Sequence, residues 1–191
     1  MFVAEGGVPV GEALLTRMRD SLQHRGPDAA GVWLDSSRRL GLGHRRLSIV
    51  DLDAASTQPM ADAEQSVVVA FNGEIYNHVA LRHELEGAGY GFRTAHSDTE
   101  VLVHGYRAWG WEGLLQRLRG MFAIALWDNR RRVLFLGRDR VGIKPLYLHV
   151  SGGRLLFASE IKAILAVPDV VRDIDPIAMY HYLSGMVTQR R

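Results

Sequence analysis

The fold class is decided by residues 66–77, which read SVVVAFNGEIYN. The β-branched and aromatic residues up to Phe71 predict a strand. Asn72-Gly73 is typical of a two-residue hairpin turn, and residues 74–76 would then begin the returning strand. This segment therefore predicts antiparallel β-structure in the middle of the chain.

Outward from this segment, the second half of the chain contains four more short apolar runs. They are separated by turn residues, at Asp128-Asn129 and at residues 151–153. Unbroken apolar runs indicate strands that are buried on both faces, so we expect a covering layer on each side of the sheets. The four runs are residues 121–127, 133–137, 146–150 and 155–158.

Helical patterns flank these strands. Apolar residues recur at helical intervals in residues 14–22, before the helix-breaking pair Gly26-Pro27, and residues 97–100 read SDTE, the capping-box pattern that opens a helix. Because strands and helices come in blocks, the sequence predicts an α+β fold in which two antiparallel sheets stack between outer helices. Further helices are predicted at residues 77–87, 114–118, 160–166 and 176–184.

Composition argues against several classes of function. The 191 residues are 47% hydrophobic and 23% charged, and a net charge of +2 gives no reason to expect nucleic acid as a partner. No apolar run approaches the roughly 18 residues of a membrane span, and the N-terminus does not read as a secretory signal. We therefore expect a cytoplasmic protein. Because the sequence has no cysteine, disulfides and thiolate metal sites are excluded.

Two charged residues are candidate ligand contacts. Arg46 interrupts an apolar segment, and its guanidinium fork suits a carboxylate, although an ion pair with Asp51 or Asp53 explains it equally well. Asp98 follows a helix cap, where a carboxylate stabilises the helix start without any ligand. The functional alternative for Asp98 is to receive an ammonium group. Together, Arg46 and Asp98 would hold the two charges of an α-amino acid.

The sequence alone favours a hairpin turn at Asn72 and Gly73, but the pair also has a functional interpretation. Glycine lets a ligand approach the backbone closely. The Gly73 N–H and the Asn72 side-chain amide are two donors that can converge on one oxygen, as in an oxyanion hole. The pair would then hold the side-chain carbonyl of the same amino acid.

Six segments carry a family resemblance: residues 24–28 (HRGPD), 44–51 (HRRLSIVD), 71–77 (FNGEIYN), 97–100 (SDTE), 118–123 (LRGMFA) and 137–139 (GRD). In combination they resemble the class II glutamine amidotransferases. Residues 142–147 (GIKPLY) and 157–162 (FASEIK) are similar, more specifically, to the glutaminase half of the glutamine-hydrolysing asparagine synthetases. The resemblance extends over about residues 2–187.

The resemblance implies an N-terminal-nucleophile hydrolase fold, which is a four-layer αββα sandwich. It implies a glutaminase domain at residues 1–167, and at residues 168–191 the start of a connection to a synthetase domain. Such a domain binds L-glutamine and releases ammonia, which an ATP-using domain transfers to aspartate. ATP and Mg²⁺ are expected only in that second domain, and no cofactor is expected in this one. A homodimer is left open.

The resemblance also assigns roles within the pocket. Arg46 would bind the α-carboxylate of glutamine, and Asp98 would bind its α-amino group. Asn72 and Gly73 would form the oxyanion hole. The predicted lining of the pocket is Arg46, Leu47, Ser48, Ile49, Val50, Asn72, Gly73, Glu74 and Asp98.

The chain departs from the family at its start. Family members begin with a cysteine whose thiol is the nucleophile and whose α-amine is the base. Here the sequence begins Met1-Phe2-Val3, and Phe2-Val3 is similar to the continuation of the family's first strand. We expect a true start upstream of Met1. A fragment of a split gene and a non-catalytic glutamine-binding module are the alternatives. In the form given, the domain is expected to be inactive.

Overall fold

A computed structural model describes residues 2–4, 9–47 and 56–185, with the backbone alone in residues 2–4. The strands are β1 Phe2–Ala4, β2 Ala29–Leu34, β3 Leu40–Arg46, β4 Met60–Ala61, β5 Val67–Ile75, β6 Gly120–Asp128, β7 Val133–Arg138, β8 Tyr147–Ser151 and β9 Arg154–Ala158. The helices are α1 Glu12–Asp20, α2 His78–Gly87, α3 Asp98–Arg117, α4 Ile161–Leu165 and α5 Pro176–Leu183.

The strands form two sheets. One has five strands in the order β2-β3-β1-β9-β8, and the other has four in the order β4-β5-β6-β7. Every pairing between the described strands is antiparallel. The antiparallel sheets predicted from the short apolar runs are therefore confirmed.

Apolar clusters hold the layers together. Between the two sheets, Leu42 and Phe157 of the five-stranded sheet pack with Val68 and Trp127 of the four-stranded sheet. A second cluster joins the outer face of the four-stranded sheet to α2 and α3. A third joins the five-stranded sheet to α1 and α4. The order of layers is helices, sheet, sheet, helices, so the predicted α+β sandwich of four αββα layers is confirmed.

The predicted hairpin turn at Asn72-Gly73 is wrong. Strand β5 runs without interruption to Ile75, and it pairs Asn72 with Ala123 and Gly73 with Phe122 of β6. Glycine is needed here for a different reason. A Cβ at Gly73 would lie 2.1 Å from the carbonyl oxygen of Met121, so the close approach of β6 excludes any side chain.

Strand β8 corrects a second expectation. The apolar run at residues 146–150 predicted a strand buried on both faces, but Leu148 is 56% exposed and Val150 is 75% exposed. Leu148 and Val150 are exposed because β8 lies at the edge of the five-stranded sheet. An apolar run therefore does not by itself reveal whether a second layer covers the strand.

Helix α3 begins at the predicted residue but not with the predicted cap. Ser97 occupies the N-cap position without a side-chain hydrogen bond to the helix. Glu100, the other half of the capping box, instead accepts hydrogen bonds from the backbone N–H groups of Arg93 and Thr94, each at 2.8 Å. Gly110 interrupts α3 with φ of 69° and ψ of −178°, which are not helical, so the helix that follows Ser97 and the helix predicted at residues 114–118 lie on either side of this break.

Helix α5 ends the described part of the chain. Asp175 caps it by accepting a hydrogen bond from the N–H of Ile177 at 2.8 Å. None of its residues is buried. The division between residues 167 and 168 stays a prediction. None of the described helices is long and apolar enough to cross a membrane.

Candidate functional site

A cavity of about 410 Å³ lies where the end of β3, the second half of β5 and the start of α3 meet. The predicted site residues that border it are Arg46, Leu47, Asn72, Gly73, Glu74 and Asp98. The other three predicted residues, Ser48, Ile49 and Val50, lie outside the described residues. Three elements that are distant in sequence thus bring the described candidates to one place.

Strand β3 directs Arg46 towards the cavity and Arg45 away from it. Successive side chains of a strand point to opposite faces. Arg45 donates from Nε to the carbonyl oxygen of Gly26 at 2.9 Å and lies 3.5 Å from a carboxylate oxygen of Asp20. Arg46 points the other way and borders the cavity. The alternative partners named for Arg46, Asp51 and Asp53, lie outside the described residues.

His44 ties β3 to β5 beside the cavity. Its Nε2 lies 3.0 Å from the carbonyl oxygen of Phe71, and because a carbonyl only accepts, Nε2 carries the proton. Burial, together with the charge of Arg46, lowers the pKa of His44 to about 4, although the hydrogen bond to Phe71 acts in the opposite direction. The imidazole is therefore neutral at physiological pH and acts as a fixed hydrogen-bond donor.

Asn72 brings an unsatisfied donor to the site. Its side-chain nitrogen Nδ2 is buried and has no acceptor among the described residues. A buried polar group without a partner costs about 1–3 kcal/mol. A carbonyl oxygen in the cavity would accept from this nitrogen. Next to it, Gly73 also borders the cavity.

Asp98 is a buried carboxylate at the first position of α3. Its Oδ2 accepts a hydrogen bond from the N–H of Ile75 at 3.1 Å. Burial raises the pKa of Asp98, and the hydrogen bonds from Ile75 and Thr99 and the charge of His78 offset this only in part. An ammonium group in the cavity would stabilise its charged form.

Other residues of the cavity were not predicted. Gln58 and Lys144 both line it, as does His78, whose Nδ1 is buried without a partner among the described residues. The loop that carries Lys144 is held by Asp139, which accepts from the N–H groups of Ile143 at 2.8 Å and Lys144 at 3.0 Å. A glutamine before a proline and a histidine at a helix start give too little signal to single them out.

The segments 24–28 and 157–162, which carry two of the sequence motifs, contact each other beside the cavity. Glu160 accepts from His24 at 3.1 Å and from Arg25 at 3.2 Å, and it lies 3.2 Å from Nζ of Lys162. Burial would raise the pKa of Glu160, but the hydrogen bonds from His24, Lys162 and Arg25 lower it overall. Since Arg25 also borders the cavity, this cluster fixes one side of the entrance.

Comparison with known proteins agrees with this geometry. A family model described as a glutamine amidotransferase domain matches residues 6–191, so the chain belongs to that family. It corresponds to the glutamine amidotransferase part of asparagine synthetase relatives. Asparagine synthetase [glutamine-hydrolyzing] 3 of Bacillus subtilis (strain 168) is 44% identical over 163 residues, which cover 84% of this chain and 26% of the relative.

A second relative gives the same picture. Asparagine synthetase B [glutamine-hydrolyzing] of Escherichia coli (strain K12) is 44% identical over 153 residues, which cover 80% of this chain and 26% of the relative. The chain thus spans about a quarter of the length of these relatives.

The fold has a counterpart among solved structures. Glutamine phosphoribosylpyrophosphate amidotransferase from B. subtilis superposes with a TM-score of 0.71 over 87% of this chain and 42% of that chain, at 23% sequence identity. The N-terminal-nucleophile hydrolase fold expected from the sequence is therefore confirmed.

Proposed function

We propose that this domain binds L-glutamine in the cavity between β3, β5 and α3. The observation that carries the proposal is the shared cavity of Arg46, Asn72 and Asp98. They offer a cation, a donor that has no acceptor among the described residues, and a carboxylate. Arg46 receives the α-carboxylate, Asp98 receives the α-ammonium group, and Asn72 with the Gly73 N–H receives the carboxamide oxygen. Leu47 and Glu74 border the same cavity and complete the described part of the pocket.

The same geometry suits hydrolysis of the carboxamide. When a thiolate attacks the carbonyl carbon, negative charge develops on the oxygen that faces Asn72 and Gly73. Loss of the C–N bond, with a proton to nitrogen, releases ammonia and leaves a thioester, which water converts to glutamate and free thiol. Losing one oxyanion donor typically costs about 2.7–4 kcal/mol in the transition state.

The nucleophile is the part that this sequence does not supply. None of the 191 residues is a cysteine, and Ser48 and Thr99 carry hydroxyls without an α-amine to act as base. We therefore expect a polypeptide of this sequence to bind glutamine and not to hydrolyse it. A non-catalytic glutamine-binding module is the second candidate function, and the lack of cysteine is what favours it.

Calorimetry with L-glutamine tests the binding proposal, with D-glutamine as the matched control. We expect saturable binding of the L-isomer only, because the three groups grip the carboxylate, ammonium and carboxamide in one chirality. Absence of binding at millimolar L-glutamine would overturn the proposal.

Ammonia release separates the enzyme from the binding module. Extensions of increasing length, each exposing an N-terminal cysteine, are assayed beside matched extensions that begin with serine. Hydrolysis by a cysteine-first chain alone supports the glutaminase. Tight binding without hydrolysis in the whole series supports the module.

The names of the asparagine synthetase relatives suggest what this domain would do within a longer protein. We propose that ammonia from this domain serves an ATP-dependent amidation of aspartate in a synthetase domain or subunit. Within this domain the proposal calls for no cofactor, and ATP and Mg²⁺ belong to the synthetase. The cytoplasmic location expected from the sequence is part of the same proposal.

A further inference from the structure

Gln58 lies at the cavity and forms hydrogen bonds with two different elements. Its Oε1 accepts a hydrogen bond from the N–H of Phe71 at 2.6 Å, and its Nε2 donates to Oγ1 of Thr99 at 3.1 Å. Gln58 is 8% exposed and Thr99 is 3% exposed, so neither hydrogen bond competes with bulk water. One amide therefore links strand β5 to the start of helix α3.

The two ends of the bridge are next to the two ends of the proposed glutamine site. Phe71 directly precedes Asn72, and Thr99 directly follows Asp98. Strand β4 pairs with β5 only at Val68 and Val69, so the N–H of Phe71 has no neighbouring strand on that side. The Gln58 amide takes the place of that strand and extends its contact to α3.

The backbone of Gln58 is held as firmly as its side chain. A Cβ at Gly31 would lie 1.9 Å from the carbonyl oxygen of Gln58, so glycine in β2 leaves the space into which this backbone fits. Gly31 pairs with His44, which in turn donates to the carbonyl oxygen of Phe71. Gln58 is thus seated on the five-stranded sheet while its side chain reaches the other sheet and α3.

We propose that Gln58 is a positioning residue that fixes the spacing between the carboxamide contacts, Asn72 and Gly73, and the ammonium contact, Asp98. This inference rests on the proposed glutamine site. The distance between these contacts matters only to a ligand that reaches both the carboxamide contacts and the ammonium contact. It therefore governs the preference for L-glutamine over an amino acid that engages Arg46 and Asp98 alone.

The test compares two ligands on Gln58→Met, which keeps the length of the side chain and removes both hydrogen bonds. L-Norvaline has the amino-acid end and chain length of glutamine but no carboxamide. We expect the ratio of dissociation constants, L-norvaline over L-glutamine, to fall roughly tenfold, the effect of losing one to two hydrogen bonds. Competition calorimetry on the full chain measures the ratio, and thermal unfolding is recorded in parallel.

Thr99 provides an independent test if Gln58→Met does not fold. Thr99→Val removes the hydroxyl that accepts from Gln58 and nearly keeps the volume, and Thr99→Ser restores the hydroxyl. We expect Val to lower the ligand ratio and Ser to recover it, which a packing effect would not do, because Ser is smaller.

The outcomes separate the two proposals. If the wild-type chain binds L-glutamine but both variants change only Tm, or weaken both ligands equally, the positioning role is overturned and the glutamine site stands. If the wild-type chain does not bind L-glutamine, the proposed function falls, and the positioning role falls with it.

Discussion

At the scale of single residues, the cavity is a set of polar groups whose needs the described chain does not fully meet. Asn72 has a buried donor without an acceptor, and Asp98 has a carboxylate whose pKa is raised by burial. Each of these groups lowers the stability of the folded protein while no ligand is bound. A ligand with a carbonyl oxygen and an ammonium group would recover that free energy, which is why we assign these residues to binding.

Asp98→Asn tests the ammonium contact. Asparagine keeps an oxygen that can accept from Ile75 but loses the charge, so we expect L-glutamine affinity to fall about tenfold or more. Stability should change little or rise, because a buried charge is removed. Asp169→Asn is the matched control, since that carboxylate is 59% exposed and pairs with Arg154 away from the cavity. Unchanged affinity in Asp98→Asn, measured by calorimetry, would contradict the assignment.

Arg46→Ala tests the carboxylate contact. We expect weaker binding of L-glutamine, and a much smaller effect on L-glutaminol, in which an alcohol replaces the carboxylate. Arg39→Ala, at an exposed position in the β2–β3 turn, is the control for the loss of one positive charge. Equal loss for both ligands would show that Arg46 acts on the fold and not on the carboxylate.

At the scale of the elements, strand β5 explains why Asn72 and Gly73 are neighbours. Its first half carries apolar side chains, and its second half turns from the core towards the cavity. Pairing with β6 continues through both halves. The oxyanion-hole candidates are therefore built into a strand that stays paired with β6, which restricts their movement more than a hairpin tip would.

Gly73→Ala tests this role of the strand. The new methyl group would overlap the Met121 carbonyl at 2.1 Å, so the two strands must separate locally. We expect a loss of stability of about 1–3 kcal/mol or more in urea unfolding. Gly87→Ala, where no atom lies within 4 Å of the new Cβ in helix α2, should instead be neutral or stabilising. Equal stability of the two variants would rule out the steric argument.

At the scale of the whole molecule, polar contacts at the ends of the sandwich add to the inter-sheet core. Arg132, in the β6–β7 turn, donates to Asp35 in the β2–β3 turn at 2.9 Å. Asp35 is 2% exposed and also accepts from the N–H of Leu40 at 2.8 Å. This contact joins a turn of one sheet to a turn of the other, so it fixes their relative position at that end.

Acid should weaken the folded state in two stages. The pKa of His44 is about 4 in the folded protein, below its usual 6.5, so the unfolded chain binds the proton more readily and stability falls as the pH drops through that window. The loss is at most roughly 3 kcal/mol. Burial would raise the pKa of Glu100, but hydrogen bonds from His104, Thr94 and Arg93 lower it from 4.5 to about 2. A further loss of stability therefore follows as the pH falls below 4.5.

Urea unfolding between pH 7 and pH 4 measures the first stage. His44→Gln is the control, because an amide can still donate to Phe71 but does not titrate. We expect a flatter dependence on pH in that variant. Equal slopes for the two proteins would show that His44 is not the titrating group.

The sequence predicted most elements because their signals are local. The apolar run at residues 121–127 and the helix start at Asp98 depend on neighbouring residues, and both lie where expected. Besides the hairpin turn at Asn72-Gly73, two wrong predictions concern partners. Glu100 was expected at the helix cap and instead accepts from Arg93, and β8 was expected to be covered and is an edge. Periodicity carries no information about such neighbours.

For the site, the sequence by itself determined the kinds of groups. It supplied Arg46, Asn72, Gly73 and Asp98 as a cation, two donors and a carboxylate, and it excluded a thiol among the 191 residues. Only the tertiary structure decided that these groups share one cavity and that Gly73 is needed for strand contact. It also identified Gln58 as the bridge between them. Residue chemistry is local, whereas distances between elements arise from the stacking of the two sheets and the seating of α3.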